Sequence, residues 1–236
     1  MSVLVPRHWV KGGEHNGEFF PGCYDSERAY HEVPKGISNA VYSMCMVDPS
    51  PTNFWAIEWW LVDADTEFRY LMDLIRQKMD ASSFLDYNPD TREFSGALED
   101  LWQLSNKLNR PIKYLIIERN GAQRFLMQLD YFKRWCQLRG VSYFPHDTTT
   151  NKSDPEYGVQ VLATHYRHGR YRLPNKQTRG DMGFLISKLL VDEVTVWPGG
   201  TTDDCVMAQW FMEWWIPRIV TPNPGDIPRK WVPSWS

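Results

Sequence analysis

The sequence predicts an α/β domain built on a mixed β-sheet, and three observations carry that prediction. Strand-like runs at residues 41–47, 54–62 and 68–75 succeed one another at hairpin-like spacing, so an antiparallel meander is the simplest arrangement. Residues 98–144 then alternate helix, strand, helix and strand, the pattern of parallel strands joined by right-handed crossovers. Helical spacing fills most of residues 155–215, which completes an α/β plan.

Taken in order, residues 1–40 are broken by Gly12-Gly13, Asn16-Gly17, Pro21-Gly22 and Pro34-Lys35-Gly36 and read as an irregular arm or linker. Trp9, Phe19, Phe20 and Tyr24 are too apolar for a free tail, so the arm is expected to pack. The first strand ends in Asp48-Pro49-Ser50-Pro51, where proline cannot continue a ladder. The second (FWAIEWWLV) meets the acidic turn Asp63-Ala64-Asp65, and the third is FRYLMDLI. Leu98, Leu101, Trp102, Leu104 and Leu108 recur at helical spacing up to Asn109-Arg110-Pro111. Residues 112–117 (IKYLII) are nearly all apolar, as a central strand covered on both faces requires. A helix over 123–138 is closed by Gly140, and a strand comes next at 141–144. Further helices are predicted at 155–166, 178–190 and 203–215, with a short extended piece at 170–174. The domain thus runs over 41–216, and residues 217–236, with Pro217, Pro222, Pro224, Pro228 and Pro233, form a Pro-rich tail.

Composition narrows the class. Aromatic residues make up 14% of the 236, against disorder. No run approaches the ~20 apolar residues of a membrane-spanning helix, and residues 1–10 lack the pattern of a secretory signal. Cys23, Cys45, Cys136 and Cys205 form no CxxC pair and read as reduced thiols in a cytosol. The formal net charge of −3 gives no global attraction to nucleic acid, so such a partner must meet a local basic patch.

Three acidic loci stand out by position. Asp48 ends the first strand, Glu118 ends the fourth, and Asp203 and Asp204 open the last helix after Pro198-Gly-Gly-Thr-Thr202. Strand ends form the ligand crevice of open α/β sheets, and if the first and fourth strands are neighbours, Asp48 and Glu118 leave the ladder roughly 5 Å apart. Carboxylates gathered without a cation repel one another, and a hard divalent ion such as Mg²⁺, which prefers oxygen ligands, relieves that repulsion. Each position has a bland reading too. Asp before Pro starts turns, Asp203 and Asp204 suit a helix cap, and Arg119 offers Glu118 a partner. The three loci together favour a metal site.

A basic stretch supplies a substrate. Arg167, His168, Arg170, Arg172, Lys176 and Arg179 crowd one segment, and Lys152 precedes it, as a phosphate-binding surface would; a solvated helix end is the alternative. The chain lacks a GxxxxGK[ST] loop, a dinucleotide fingerprint and a GxSxG elbow. The spacing of His165 and His168 does not suggest zinc, and Trp210, Phe211, Trp214 and Trp215 read as core.

Four segments, VYSMCMVDPS, IKYLIIERNG, TTTNKSDPEYGVQVLATHYRHGRYRLP and GGTTDDCVMAQWF, occur in an order and spacing that resemble the nuclease domains of tailed-phage terminase large subunits, over roughly residues 41–215. The resemblance implies an RNase H-like fold, catalytic and metal-binding carboxylates at Asp48, Glu118 and Asp204 or Asp203, with Asp204 favoured, and two Mg²⁺ or Mn²⁺ ions. It implies cutting of double-stranded viral DNA during packaging, in the cytoplasm of an infected bacterium. The implied partners are a packaging ATPase domain, a small terminase subunit and a portal, with no membrane. Lys152 matches a recurrent lysine and is expected to contact DNA. Two departures stand out: where many relatives carry a further acid this chain has Met207, and the ATPase part that usually precedes the nuclease is not in this sequence. The rival readings are another RNase H-like nuclease, a junction resolvase or RNA–DNA hybrid hydrolase, and a non-catalytic DNA- or portal-docking module.

Overall fold

The structure, a computed structural model, describes residues 3–50, 53–119, 126–178 and 180–220. In chain order the elements are α1 (Arg7–Lys11), β1 (Gly13–His15), β2 (Glu18–Phe20), β3 (Tyr24–Asp25), β4 (Val41–Asp48), β5 (Trp55–Asp63), β6 (Arg69–Gln77), α2 (Ala81–Phe84), β7 (Asp86–Asn88) and β8 (Glu93–Ser95). They continue as α3 (Ala97–Lys107), β9 (Tyr114–Glu118), α4 (Asp130–Arg139), β10 (Ser142–His146), α5 (Val161–Arg167), β11 (Tyr171–Pro174), α6 (Gly183–Val194) and α7 (Asp204–Ile219).

One sheet in the order β10-β9-β4-β5-β6-β11-β3 organises the domain, and two small hairpins, β1-β2 and β7-β8, lie outside it. β4, β5 and β6 are antiparallel, while β9 runs parallel to both β4 and β10. A three-strand meander with its first strand beside two parallel crossover strands is the RNase H-like arrangement. β5 is buried at every position, which explains its nearly unbroken apolar run. Alternate side chains feed two cores. Met44, Met46, Ala56, Trp60 and Leu71 pack with α5, α6 and α7, whereas Cys45, Val47, Ile57, Trp59 and Met72 pack with α3 and α4.

The strands stand close to their predicted places, but several helices begin later than expected. α5 starts at Val161, not near 155, because the Asp154 carboxylate accepts the backbone N–H groups of Glu156 (2.9 Å) and Tyr157 (2.8 Å) and folds that stretch into a turn. Asp181 accepts the Gly183 N–H at 2.8 Å, and α6 runs from there to Val194 instead of spanning 178–190. α4 starts at Asp130; of the earlier positions predicted helical, 123–125 lie outside the described residues. α7 passes through Pro217 to Ile219, so the helix overruns the expected start of the tail, and residues 221–236 are outside the described residues.

The arm is more regular than its sequence suggests. β3 joins the sheet edge parallel to β11, and Arg28, 3% exposed, donates to the carbonyls of Leu71 (2.8 Å) and Arg172 (2.7 Å). Tyr30 and His31 both bond Asp73 on β6. Phe20 is buried and Trp9 and Tyr24 pack on the core, but Phe19 is 70% exposed, contrary to expectation, because it alternates outward on the β1-β2 hairpin. All four cysteines are buried free thiols. No described helix is long and apolar enough to cross a membrane.

Candidate active site

Parallel pairing of β4 with β9 aligns Val47 with Ile117, so the next residues, Asp48 and Glu118, leave the ladder side by side, strand axes in such a pair lying about 4.8 Å apart. The register extends in both directions. His146 pairs with Glu118, Ala56 with Asp48, and Arg76 with Ala56. His146, Glu118, Asp48, Ala56 and Arg76 therefore form one transverse row across five strands. The row lies on the α7 side of the sheet, as the contacts of Arg76 and His146 with that helix show.

Asp204, the first residue of α7, is buried over this row, whereas Asp203 before it is exposed. Neither aspartate caps the helix with its side chain. The Cys205 N–H is taken instead by Glu193 Oε2 at 2.8 Å, and Glu193 Oε1 also accepts the Thr202 hydroxyl at 3.0 Å. Arg76 completes the cluster. Its Nε lies 2.8 Å from Glu193 Oε1, its Nη2 donates to Asp204 Oδ2 at 3.4 Å, and its guanidinium stands 4.4 Å over the Phe54 ring.

The electrostatics follow from this crowding. Burial, then the charges of Glu118 and Asp204, then a hydrogen bond with Glu118 and the charge of Asp203, hold the Asp48 carboxyl well above the usual carboxylate range. Asp204 is raised by burial and by Glu193, with Arg76 opposing. Beneath the row, Glu58 on β5 is fully buried; its Oε2 accepts the Trp60 indole N–H at 2.7 Å while its Oε1 has no partner. Burial lifts its carboxyl far above the ordinary range, with Glu193 adding to the shift. His146, also buried, is pushed down to about 4 by desolvation and so is neutral near pH 7.

No protein-family model matches the chain, and no curated protein matches it. Among solved structures it is similar to the large terminase nuclease from thermophilic phage G20c with bound zinc, at 14% identity and a TM-score of 0.44, covering 91% of this chain and 92% of that one. It is also similar to the P22 large terminase nuclease domain, at 14% identity and a TM-score of 0.47, covering 80% of this chain and 85% of that one. A large terminase from a second thermophilic bacteriophage aligns at 13% identity and a TM-score of 0.36, over 64% of this chain and 32% of that longer one.

Of the four acids singled out by sequence, Glu118, Asp204 and Asp203 all act on Asp48 at one end of the sheet. Their donor set is carboxylate oxygen throughout, which suits a hard divalent cation, and the strain on Asp48 is the kind a cation removes. As they stand Asp48 bonds Glu118 and Arg76 bonds Asp204; among the described residues no three His, Cys, Asp or Glu side chains are already gathered as a ligand set. Arg119, one partner the sequence offered for Glu118, pairs with Asp147 at 2.6 Å.

The basic residues are dispersed. Lys152 is exposed on a 3₁₀ turn (Thr150–Ser153) that comes after β10 at the carboxylate end. β11 pairs with the start of β6, which sets Arg172 and Arg170 roughly 20 and 27 Å from Arg76 at the other end of that strand. Arg167 pairs with Glu18, Arg170 with Glu67, and Arg172 donates to the Gly22 carbonyl, while Lys176 is half-buried and donates its backbone N–H to the Arg28 carbonyl. Arg179 lies outside the described residues. Sequence reading missed Arg76, Glu193 and Glu58. Only Glu58 left a visible signal, a lone acid inside an apolar strand.

Proposed function

We propose that this chain is a divalent-metal-dependent endonuclease for double-stranded DNA, the nuclease part of a phage genome-packaging large terminase. The observation that supports the proposal is that Glu118, Asp204 and Asp203 all raise the Asp48 carboxyl, at one end of an RNase H-like sheet where β4 and β9 end side by side. Asp48 would be shared between two Mg²⁺ or Mn²⁺ ions, with Glu118 completing one site and Asp204 or Asp203 the other. Such ions, when bound, supply an activated water and neutralise the leaving oxygen of a phosphodiester.

The chain's own residues account for the rest. The β4 and β9 termini fix two carboxylates on adjacent strands, so little conformational freedom is lost on binding. Glu193 closes the α7 N-terminus and thereby sets where Asp204 stands. Lys152 offers a cation to the DNA backbone on the carboxylate side, whereas Arg167, Arg170, Arg172 and Lys176 would meet the duplex away from the cut. The same reading assigns the packaging ATPase domain, small terminase subunit and portal as partners, in the cytoplasm of an infected bacterium.

Asp48→Asn tests it. The variant is expected to lose Mn²⁺-dependent nicking of supercoiled plasmid by at least about a hundredfold while keeping the circular dichroism of the parent. Cutting at the parental rate would remove Asp48 from the chemistry. Linear duplex, branched DNA and an RNA–DNA hybrid, compared side by side, then separate a packaging nuclease from a resolvase or a hybrid hydrolase.

A further inference from the structure

Arg76 is a cation that the carboxylate cluster already contains. It reaches the cluster from the side opposite Glu118, across Ala56, a residue too small to stand between it and Asp48. Its guanidinium is held mostly by charge. The Nε–H lies near Glu193 Oε1 yet is not directed at it, and among the described residues it is a buried donor without a hydrogen bond. The bond to Asp204, at 3.4 Å, is longer than the ~2.8 Å of a strong charge-assisted pair. A guanidinium only 17% exposed and so poorly satisfied stands away from its hydrogen-bonding optimum. Glu193, by contrast, is fixed by Thr202 and Cys205, and the Phe54 ring supports the guanidinium from below.

We propose that Arg76 is a built-in competitor of the divalent cation: it holds Asp204 while no ion is bound and yields that carboxylate when one binds, remaining on Glu193 and Phe54. This rests on the metal-site reading above and adds a regulator to it. Metal affinity is then set by a contest for Asp204 as well as by the ligands.

Isothermal calorimetry of the full chain with Mn²⁺ tests the sign. Arg76→Gln is expected to bind Mn²⁺ roughly tenfold more tightly than the parent, because a positive charge beside the ion is gone, while Arg76→Lys stays near the parent. A strut that merely positions Asp204 would give weaker binding in Arg76→Gln, and a pure phosphate contact would leave affinity unchanged; either result overturns the proposal. A second readout needs no folded glutamine variant. The Arg76 Nε–H resonance of the parent, assigned with Arg76→Lys, should shift during a Mg²⁺ titration at the calorimetric midpoint, and a stationary signal overturns the proposal as well. A parent that binds neither ion would instead remove the metal-site reading itself.

Discussion

At Asp48 the demands of folding and of the proposed chemistry oppose each other. Its carboxyl is held above the ordinary 3.8 by burial, then by Glu118 and Asp204, so its ionisation is harder in the folded chain than in the unfolded one. This fixes the sign for stability: the contribution is fully present below about pH 4 and is lost as pH rises through the raised value. Near pH 8 the metal-free protein therefore carries an acid it would fold more easily without. Asp48→Asn should make the metal-free chain more resistant to urea at pH 8, by about 1–3 kcal/mol, with the gap closing toward pH 4. Mn²⁺ should reverse the ranking, since an ion that binds only the folded parent stabilises it by about 4.1 kcal/mol at a thousandfold excess over its dissociation constant. A mutant less stable than the parent at pH 8 without metal would contradict the strain described for this site. Glu58, raised in the same direction, adds to the alkaline side of the profile.

On the scale of elements, α7 links the site to the rest of the fold. It begins at Asp204, buries Trp210 and Phe211 against the sheet, and places Glu213 in a polar knot further along. Arg69 bonds both oxygens of Glu213, at 3.0 and 2.9 Å, and the Tyr171 hydroxyl (2.9 Å) and His165 Nε2 (3.2 Å) join them. Burial alone would raise the Glu213 carboxyl, but Arg69 and then His165 outweigh it and hold it down at about 2. The sign is opposite to that of Asp48. This stability is present above the ordinary 4.5 and is lost as pH falls toward and through about 2. Glu213→Gln leaves the Arg69 charge buried and uncompensated and should cost about 3–5 kcal/mol at pH 7, with the difference from the parent shrinking at pH 2–3. Urea unfolding at the two pH values checks it, and an equal cost at both would show that shape, not charge, matters at this position. The aromatic spacing made α7 readable as a core helix, but nothing in the sequence tied Glu213 to Arg69, 144 positions away.

Across the whole molecule, the features legible in the sequence were those that one strand or one helix encodes by itself. The meander, the crossover strands and the acids at their ends follow from alternation, continuous apolar runs and breakers, and register alone then brings Asp48 beside Glu118. The features that stayed hidden depend on side chains meeting across the fold. The aspartates that delay α5 and α6 are a local exception, since each bonds its own backbone two or three residues on. Arg76 with Glu193 is one case of such a meeting. The arm belongs here too, and its anchor has a physical reason. β11 pairs with β6 only at Tyr171–Arg69 and Arg172–Tyr70 and then departs to meet β3. Where the two strands part, the Arg28 guanidinium donates to a carbonyl of each, Leu71 and Arg172. Arg28→Met should leave those two acceptors without a donor and cost about 2–6 kcal/mol, at about 1–3 kcal/mol for each buried group. Because the split lies toward the end of β6 away from Asp204, Mn²⁺ affinity by calorimetry should stay at the parental value. Parental stability in urea would mean that residues 24–30 merely rest on the sheet edge, and an altered metal affinity would mean that this edge communicates with the carboxylate row.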